Sequence, residues 1–361
     1  MDFSELLPLR EHWLYLDHAS QAPLPRPTTE AMQQAIAAQR ESAFWQSREL
    51  EQLDQKVRAL LAQALGCQVI EISLFPDRYV ALLALFAGLP HQNPGQVLLA
   101  GEEPEDLEPL ANFLTVIGYR VRLLAPMRFA HVADALFPQL AEVDVALLPW
   151  VDETGWVLEL DGLAKALGNQ RPTLLLDATQ ALPCRPETFS EVDADALLLP
   201  SHTWFLGPRG LAALISREEL RQKLRPALPP HRKATPVGLS DAACFEGQTL
   251  PPAVLAGFAA SLELLLSLGL EKVRKRIWAH QRTLTTHLLE LGWAVGSPGA
   301  AHSVAGIVVA QHPFFPAQEV QARLAQRRVR VGVLGGWVRF SPHFYTTAAE
   351  IEALRQILAK L

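Results

Sequence analysis

Seven short apolar runs punctuate the first two thirds of the chain. They are EISLF (71–75), QVLLA (96–100), RVRLL (120–124), DVALLP (144–149), TLLLD (173–177), ADALLL (194–199) and LAALIS (211–216). A strand points alternate side chains to opposite faces, so a short run that is apolar at successive positions predicts a strand covered on both sides. Segments with helical spacing, such as LEPLANFLTVIG (107–118) and LDGLAKALG (160–168), lie between them. Strand–helix alternation predicts an α/β fold: a mostly parallel central sheet with helices on both faces.

The pattern changes near residue 230. PALPPHRKATPVG (226–238) is Pro-rich and reads as an irregular loop. Two long amphipathic helices are expected near 251–268 and 270–291. They are followed by strands in GIVVA, VRVGV and WVRFS, a helix at 317–328 and a final helix at 347–361. This is the outline of a smaller C-terminal α+β domain. Near the N-terminus, LYLDHASQAPLPRP (14–27) is rich in Pro and small residues and reads as an ordered loop. The expected division is an N-terminal segment 1–25, a large domain 26–245 and a small domain 246–361.

Composition narrows the function classes. With 361 residues, 49% of them hydrophobic, the chain can bury a large core. A net charge of -6, with basic residues clustered only at Arg274, Lys275 and Arg276, argues against a nucleic-acid partner. The longest apolar stretches, YVALLALFAGL and VLAGFAASLELLLSLGL, fall short of the ~20 residues a membrane span takes, and read as buried helices. The opening MDFSELLPLREHW carries early acids and no apolar core segment. Cys67, Cys184 and Cys244 are far apart, without metal spacing or a disulfide framework. The expectation is a cytoplasmic protein with no metal and no membrane contact.

In open α/β sheets ligands bind at the carboxyl ends of the strands. Three polar clusters follow strand ends here: Asp152-Glu153-Thr154-Gly155, Asp177-Ala178-Thr179-Gln180, and Pro200-Ser201-His202-Thr203-Trp204 leading to Gly207-Pro208-Arg209-Gly210. They are expected to face one pocket.

YLDHASQAPLP, LLLDATQAL, SHTWFLGPRGLAAL, FEGQTLPP and VRFSPHFYTTAAEIEAL follow one another along nearly the whole chain. In this order they resemble segments of the class V aminotransferases, which include cysteine desulfurases, kynureninase and isopenicillin N epimerase-like proteins. The resemblance implies the fold type I architecture of pyridoxal-phosphate enzymes, that cofactor, and a homodimer with the site at its interface.

Residue by residue, the resemblance assigns Asp177 to the aspartate that keeps a pyridine nitrogen protonated, so the ring can act as an electron sink. The other reading of Asp177 is a helix cap. Gln180 matches the residue that bonds the ring's phenolic oxygen. His202 matches the histidine before the Schiff-base lysine, or is satisfied by local hydrogen bonds. Arg339 matches an arginine that holds a substrate carboxylate, or forms a structural ion pair. Thr249 matches a threonine reaching the partner subunit's phosphate.

The departures concern the covalent anchor and the phosphate. Thr203 stands at the lysine position; an imine needs a primary amine, and a hydroxyl is a poor general base near neutral pH. Phe75-Pro76-Asp77-Arg78-Tyr79 replaces a Gly-containing phosphate turn. Pro76 lacks an N–H, Asp77 repels a phosphate, and Arg78 either compensates or pairs with Asp77. Pro200 and Gln248 replace a serine and a glycine, Glu103 takes the place of a ring-stacking histidine, and Asp152 replaces an asparagine.

Three functions compete. The first is a non-catalytic descendant kept for binding or assembly, as a homodimer or paired with an active relative. The second is a pyridoxal-phosphate enzyme acting on an amino acid, with the cofactor held non-covalently or by a substitute lysine such as Lys233. The third is an amino-acid sensor. Cysteine desulfurase chemistry is not expected, because no cysteine follows Cys244.

Overall fold

The computed structural model describes residue 3 and residues 5–42, 47–90, 95–101, 104–124, 136, 138–159, 167–168, 171–227, 241–298 and 305–361. The chain enters through a short strand, β1 (Leu14–Leu16). The seven apolar runs become β2 (Ile72–Phe75), β3 (Gly95–Ala100), β4 (Tyr119–Leu124), β5 (Val145–Pro149), β6 (Thr173–Asp177), β7 (Ala196–Pro200) and β8 (Ala212–Ser216). They form one sheet in the order β2-β8-β7-β6-β5-β3-β4. All neighbours are parallel except at β8, which runs antiparallel to both β7 and β2.

The reason the central runs are apolar is visible in the packing, while the edge strand β4 departs from the expectation of burial on both faces, with Arg120 and Arg122 exposed. Leu174, Leu176, Leu197 and Leu199 enter one core, while Leu175, Ala196 and Leu198 enter a second core on the opposite face. Each buried leucine contributes roughly 1.5–3 kcal/mol. Among the described residues the α-helices are α1 (Arg26–Ser42), α2 (Ser47–Leu65), α3 (Arg78–Gly88), α4 (Pro104–Val116), α5 (Glu218–Lys223), α6 (Pro252–Leu268), α7 (Leu270–Glu290), α8 (Ala317–Gln326) and α9 (Ala348–Leu358). Residues of α2 and α6 fill the first core, and those of α3 and α4 the second. Among the described residues no single helix is long and apolar enough to cross a membrane; α6 and α7 pass such a test only as a pair bent by 82°.

The remaining strands are β9 (Ala294–Val295), β10 (Val308–Gln311), β11 (Val329–Leu334) and β12 (Trp337–Phe340), in a second sheet ordered β1-β11-β12-β10-β9. The loop expected over 14–27 is therefore corrected at its start. Leu14–Leu16 pairs in parallel with Val329–Val331, and Leu16 is buried in the core of this sheet. The prolines that suggested a loop begin only at Pro23. An isolated bridge between Asp17 and Ser341 extends the pairing. It carries Asp17 towards the carboxyl ends of the large sheet's strands.

Candidate functional site

A cavity of about 130 Å³ opens at the carboxyl ends of β3, β5 and β6, beside the start of α3. Leu82, Leu107, Leu110 and Leu147 form an apolar wall, and Leu334 of β11 closes it from the second sheet. The polar lining is Arg78, Asp152, Glu153, Asp177, Thr179 and Gln180. Charged side chains of the protein itself converge at one end of this space.

Asp177 ends β6. One carboxylate oxygen accepts from Arg78 Nη1 at 3.0 Å; the other accepts from Thr179 N at 2.9 Å and from the Thr179 hydroxyl. Among the described residues the carboxylate that Arg78 pairs with is Asp177, and Arg78 Nη2 also donates to Tyr79 OH at 3.2 Å. Asp77 instead caps α3, accepting from Tyr79 N at 2.6 Å. An Asp placed directly before an apolar helical run is a start signal for a helix. The cap puts a carboxylate at the helix terminus whose N–H groups would otherwise attract an anion.

Gln180 is buried, and both ends of its amide are engaged. Its Oε1 accepts from Trp204 Nε1 at 2.8 Å, and its Nε2 donates to Ala19 O at 3.0 Å and to Glu153 Oε1 at 3.3 Å. Glu153 is the residue the sequence did not single out. Its other oxygen accepts from Arg339 Nη1, so a carboxylate of the large sheet meets a guanidinium of the small one. Arg339 Nη2 donates to Ser20 Oγ at 2.7 Å, with Asp17 at 4.0 Å. Asp17 fits there because residue 332 is glycine: a Cβ would come within 2.6 Å of its carboxylate oxygen. Burial raises the Asp17 pKa, against the Ser20 bond, Arg339 and Arg330. Asp152 is buried and accepts through Oδ1 from Thr154 N, Thr154 Oγ1 and Trp156 N at 2.7–2.9 Å, shaping the turn that presents Glu153.

Two of the three strand-end clusters therefore share the cavity. The third lies behind it. Thr203 is 3% exposed, outside the lining, and donates to Thr179 O at 3.4 Å. His202, beside it, has its pKa pushed down to about 4 by burial and then by Arg209 and Arg78, so its imidazole is neutral near neutral pH. Thr249 is exposed in the segment before α6. Glu103 and Lys233 lie outside the described residues.

A buried aromatic layer supports Trp204. His343 Nε2 donates to Trp204 O at 3.0 Å, and His18 Nδ1 donates to Ser341 O at 2.8 Å. That fixes the His18 tautomer, leaving Nε2 to accept from Tyr345 OH at 2.5 Å. Burial drives the pKa of His18 well down and that of His343 to about 3, and raises that of Tyr345. No sequence spacing signalled this layer, since its members come from the segment after β1, the loop after β7 and the stretch after β12. Among the described residues no group of three His, Cys, Asp or Glu side chains could hold a metal ion.

The family described as Aminotransferase class-V matches residues 139–354. A probable hercynylcysteine sulfoxide lyase of Mycobacterium tuberculosis is 27% identical over 324 residues, covering 83% of this chain and 78% of the relative. A probable cysteine desulfurase of Aeropyrum pernix is 25% identical over 314 residues, covering 80% and 74%. Among solved structures, the apo cysteine desulfurase of Thermococcus onnurineus NA1 superposes with a TM-score of 0.85 at 21% identity, over 99% of this chain and 96% of that one. A lysine-to-alanine mutant of C-DES, with glycine covalently linked to its PLP cofactor, superposes with a TM-score of 0.89 at 20% identity over the full length of both chains.

Proposed function

The chain belongs to the aminotransferase class-V family, and from that premise we propose that it is a member closed to ordinary pyridoxal-phosphate chemistry and retained for binding or assembly. The observation that carries this reading is the Arg78–Asp177 ion pair. The carboxylate expected to meet a protonated ring nitrogen already meets a guanidinium of its own chain. A ring entering there would have to displace Arg78, and the cationic ring nitrogen would then face that cation nearby.

The rest of the site points the same way. A phosphate dianion at the start of α3 would meet the Asp77 carboxylate, held 2.6 Å from Tyr79 N. At the position of the family's lysine stands Thr203, buried behind the cavity, whose hydroxyl forms no imine. The Gln180 amide is engaged by Trp204, Ala19 and Glu153. The residues present do not fit pyridoxal phosphate held in the manner of the family, and we derive no reaction step through it. We also read the chain as lacking cysteine desulfurase activity, because Cys244 is its last cysteine. The match of Thr249, an exposed residue, to the family's threonine that reaches the partner subunit supports a dimer, with a second copy or with an active relative.

The test is an absorbance spectrum of freshly purified protein with and without added pyridoxal phosphate, followed by borohydride reduction and mass spectrometry. The expected result is no aldimine band and no pyridoxyl adduct, in the wild type and in Thr203→Lys alike. An adduct on the wild-type chain overturns the proposal. Its location on Lys233 would establish the enzyme with a substitute lysine.

A further inference from the structure

We infer that Glu153 is an internal carboxylate plugging a carboxylate-binding seat formed by Arg339 and Gln180, and that it closes this site to amino acids, keto acids and other small carboxylate ligands. The inference rests on the reading that the site is closed by the protein's own side chains, and it identifies the ligand class kept out.

The seat is built independently of its plug. Arg339 is anchored on β12 and oriented by Ser20 at 2.7 Å. Gln180 is oriented by Trp204 Nε1 at 2.8 Å and by Ala19 O at 3.0 Å. One guanidinium N–H and one amide N–H, from two different sheets, therefore converge on the two oxygens of a single carboxylate. This is the donor pattern that recognises a planar carboxylate. The backbone that presents Glu153 is also held without it. Asp152 bonds the turn internally, Ser297 Oγ donates to Thr154 O at 2.7 Å, and Trp156 Nε1 donates to Gly296 O at 3.2 Å.

The two partners differ in accessibility. The Arg339 side chain is 6% exposed, whereas that of Glu153 is 37% exposed and lines the cavity. The carboxylate is the half that can leave, and the guanidinium is the half that stays. As long as Glu153 is present, an incoming carboxylate competes with a tethered one. Even flexibly tethered groups reach effective concentrations of about millimolar, and a docked turn exceeds that. A free acid that binds weakly cannot displace it.

Truncating Glu153 to alanine removes a methylene and a carboxylate, the groups that acetate carries. Glu153→Ala is therefore heated in sodium acetate, sodium propionate, or sodium chloride at equal ionic strength, beside the wild type and Glu153→Gln, whose amide still fills the seat. Acetate at about ten times its dissociation constant is expected to raise the melting temperature of Glu153→Ala by about 2 °C over chloride. The wild type and Glu153→Gln are expected not to respond. An equal response in all three proteins, or none in Glu153→Ala, overturns the inference. Should Glu153→Ala accumulate as aggregate, soluble yield on refolding in acetate against chloride replaces the melt. Acetate-specific recovery then supports the seat, and its absence overturns it. A pyridoxyl adduct on the wild type would remove the reading of a closed cofactor site, whereas the acetate response tests the plug alone.

Discussion

Two arginines of this chain are each gripped by carboxylates, in surroundings that could hardly differ more. Arg58 of α2 is 2% exposed, and its partners Asp54 and Glu246 are 9% and 7% exposed. It donates to Asp54 at 2.7 Å, to Glu246 at 2.6 and 2.8 Å, and to the Ile72 carbonyl, while Leu74 N closes Glu246 at 2.5 Å. Arg339 is comparably buried, but its carboxylate partner Glu153 is more than a third exposed and borders a cavity. The first centre is sealed and ties β2 to the segment before α6. The second has its carboxylate on the cavity wall. Accessibility of the anion, rather than burial of the cation, separates a structural ion pair from a potential binding site.

The comparison can be broken most forcefully at Arg58. Arg58→Met leaves two carboxylates buried without their cation, and the expected cost is about 3–5 kcal/mol, read by urea unfolding. Acid comes next and strikes the layer behind the cavity. His202, His18 and His343 are all held below the usual histidine pKa of about 6.5, so the unfolded chain binds more protons than the folded one once pH falls below that value. Their contribution to stability is present above about pH 6.5. It is lost as pH falls towards about 4, where His202 takes up its proton. A melting temperature flat between pH 6.5 and 4.5 would contradict this.

Trp204→Phe removes the donor to the buried Gln180 oxygen and should cost about 1–3 kcal/mol. It should also loosen the seat without touching Arg58. Glu153→Gln is the smallest expected change. Its partly exposed pair is worth about 1 kcal/mol or less in thermal or urea unfolding. A loss of several kcal/mol would place Glu153 in the same class as Asp54 and Glu246 and erase the distinction.

Much of this is legible in the sequence. The apolar runs marked the seven strands of the large sheet; the central ones are covered on both faces, whereas β4, at the edge, exposes Arg120 and Arg122 and was not expected to. The rule that ligands gather at strand ends pointed to Asp152, Asp177 and Gln180, all three of which line the cavity. The short strand Leu14–Leu16 was missed because its neighbours are Pro-rich and its partner, Val329–Val331, is more than three hundred residues away. Glu153 belongs to the cluster after β5, but nothing local distinguishes it there, since the convergence of Arg339 and Gln180 on its two oxygens is tertiary. The same holds for Arg78: from sequence Asp77 is the nearer anion, but Asp77 is spent on capping α3.

The sequence by itself determined the strand and helix periodicities, the absence of an amine at Thr203, and the carboxylate at Asp77, because each is a property of one residue or of a short run. Only the tertiary structure decided which charge meets which. Arg78 reaches Asp177 across 99 positions and Arg339 reaches Glu153 across 186. The first pairing is set by the strand order within the large sheet and the second by how the two sheets meet, and no local pattern encodes either.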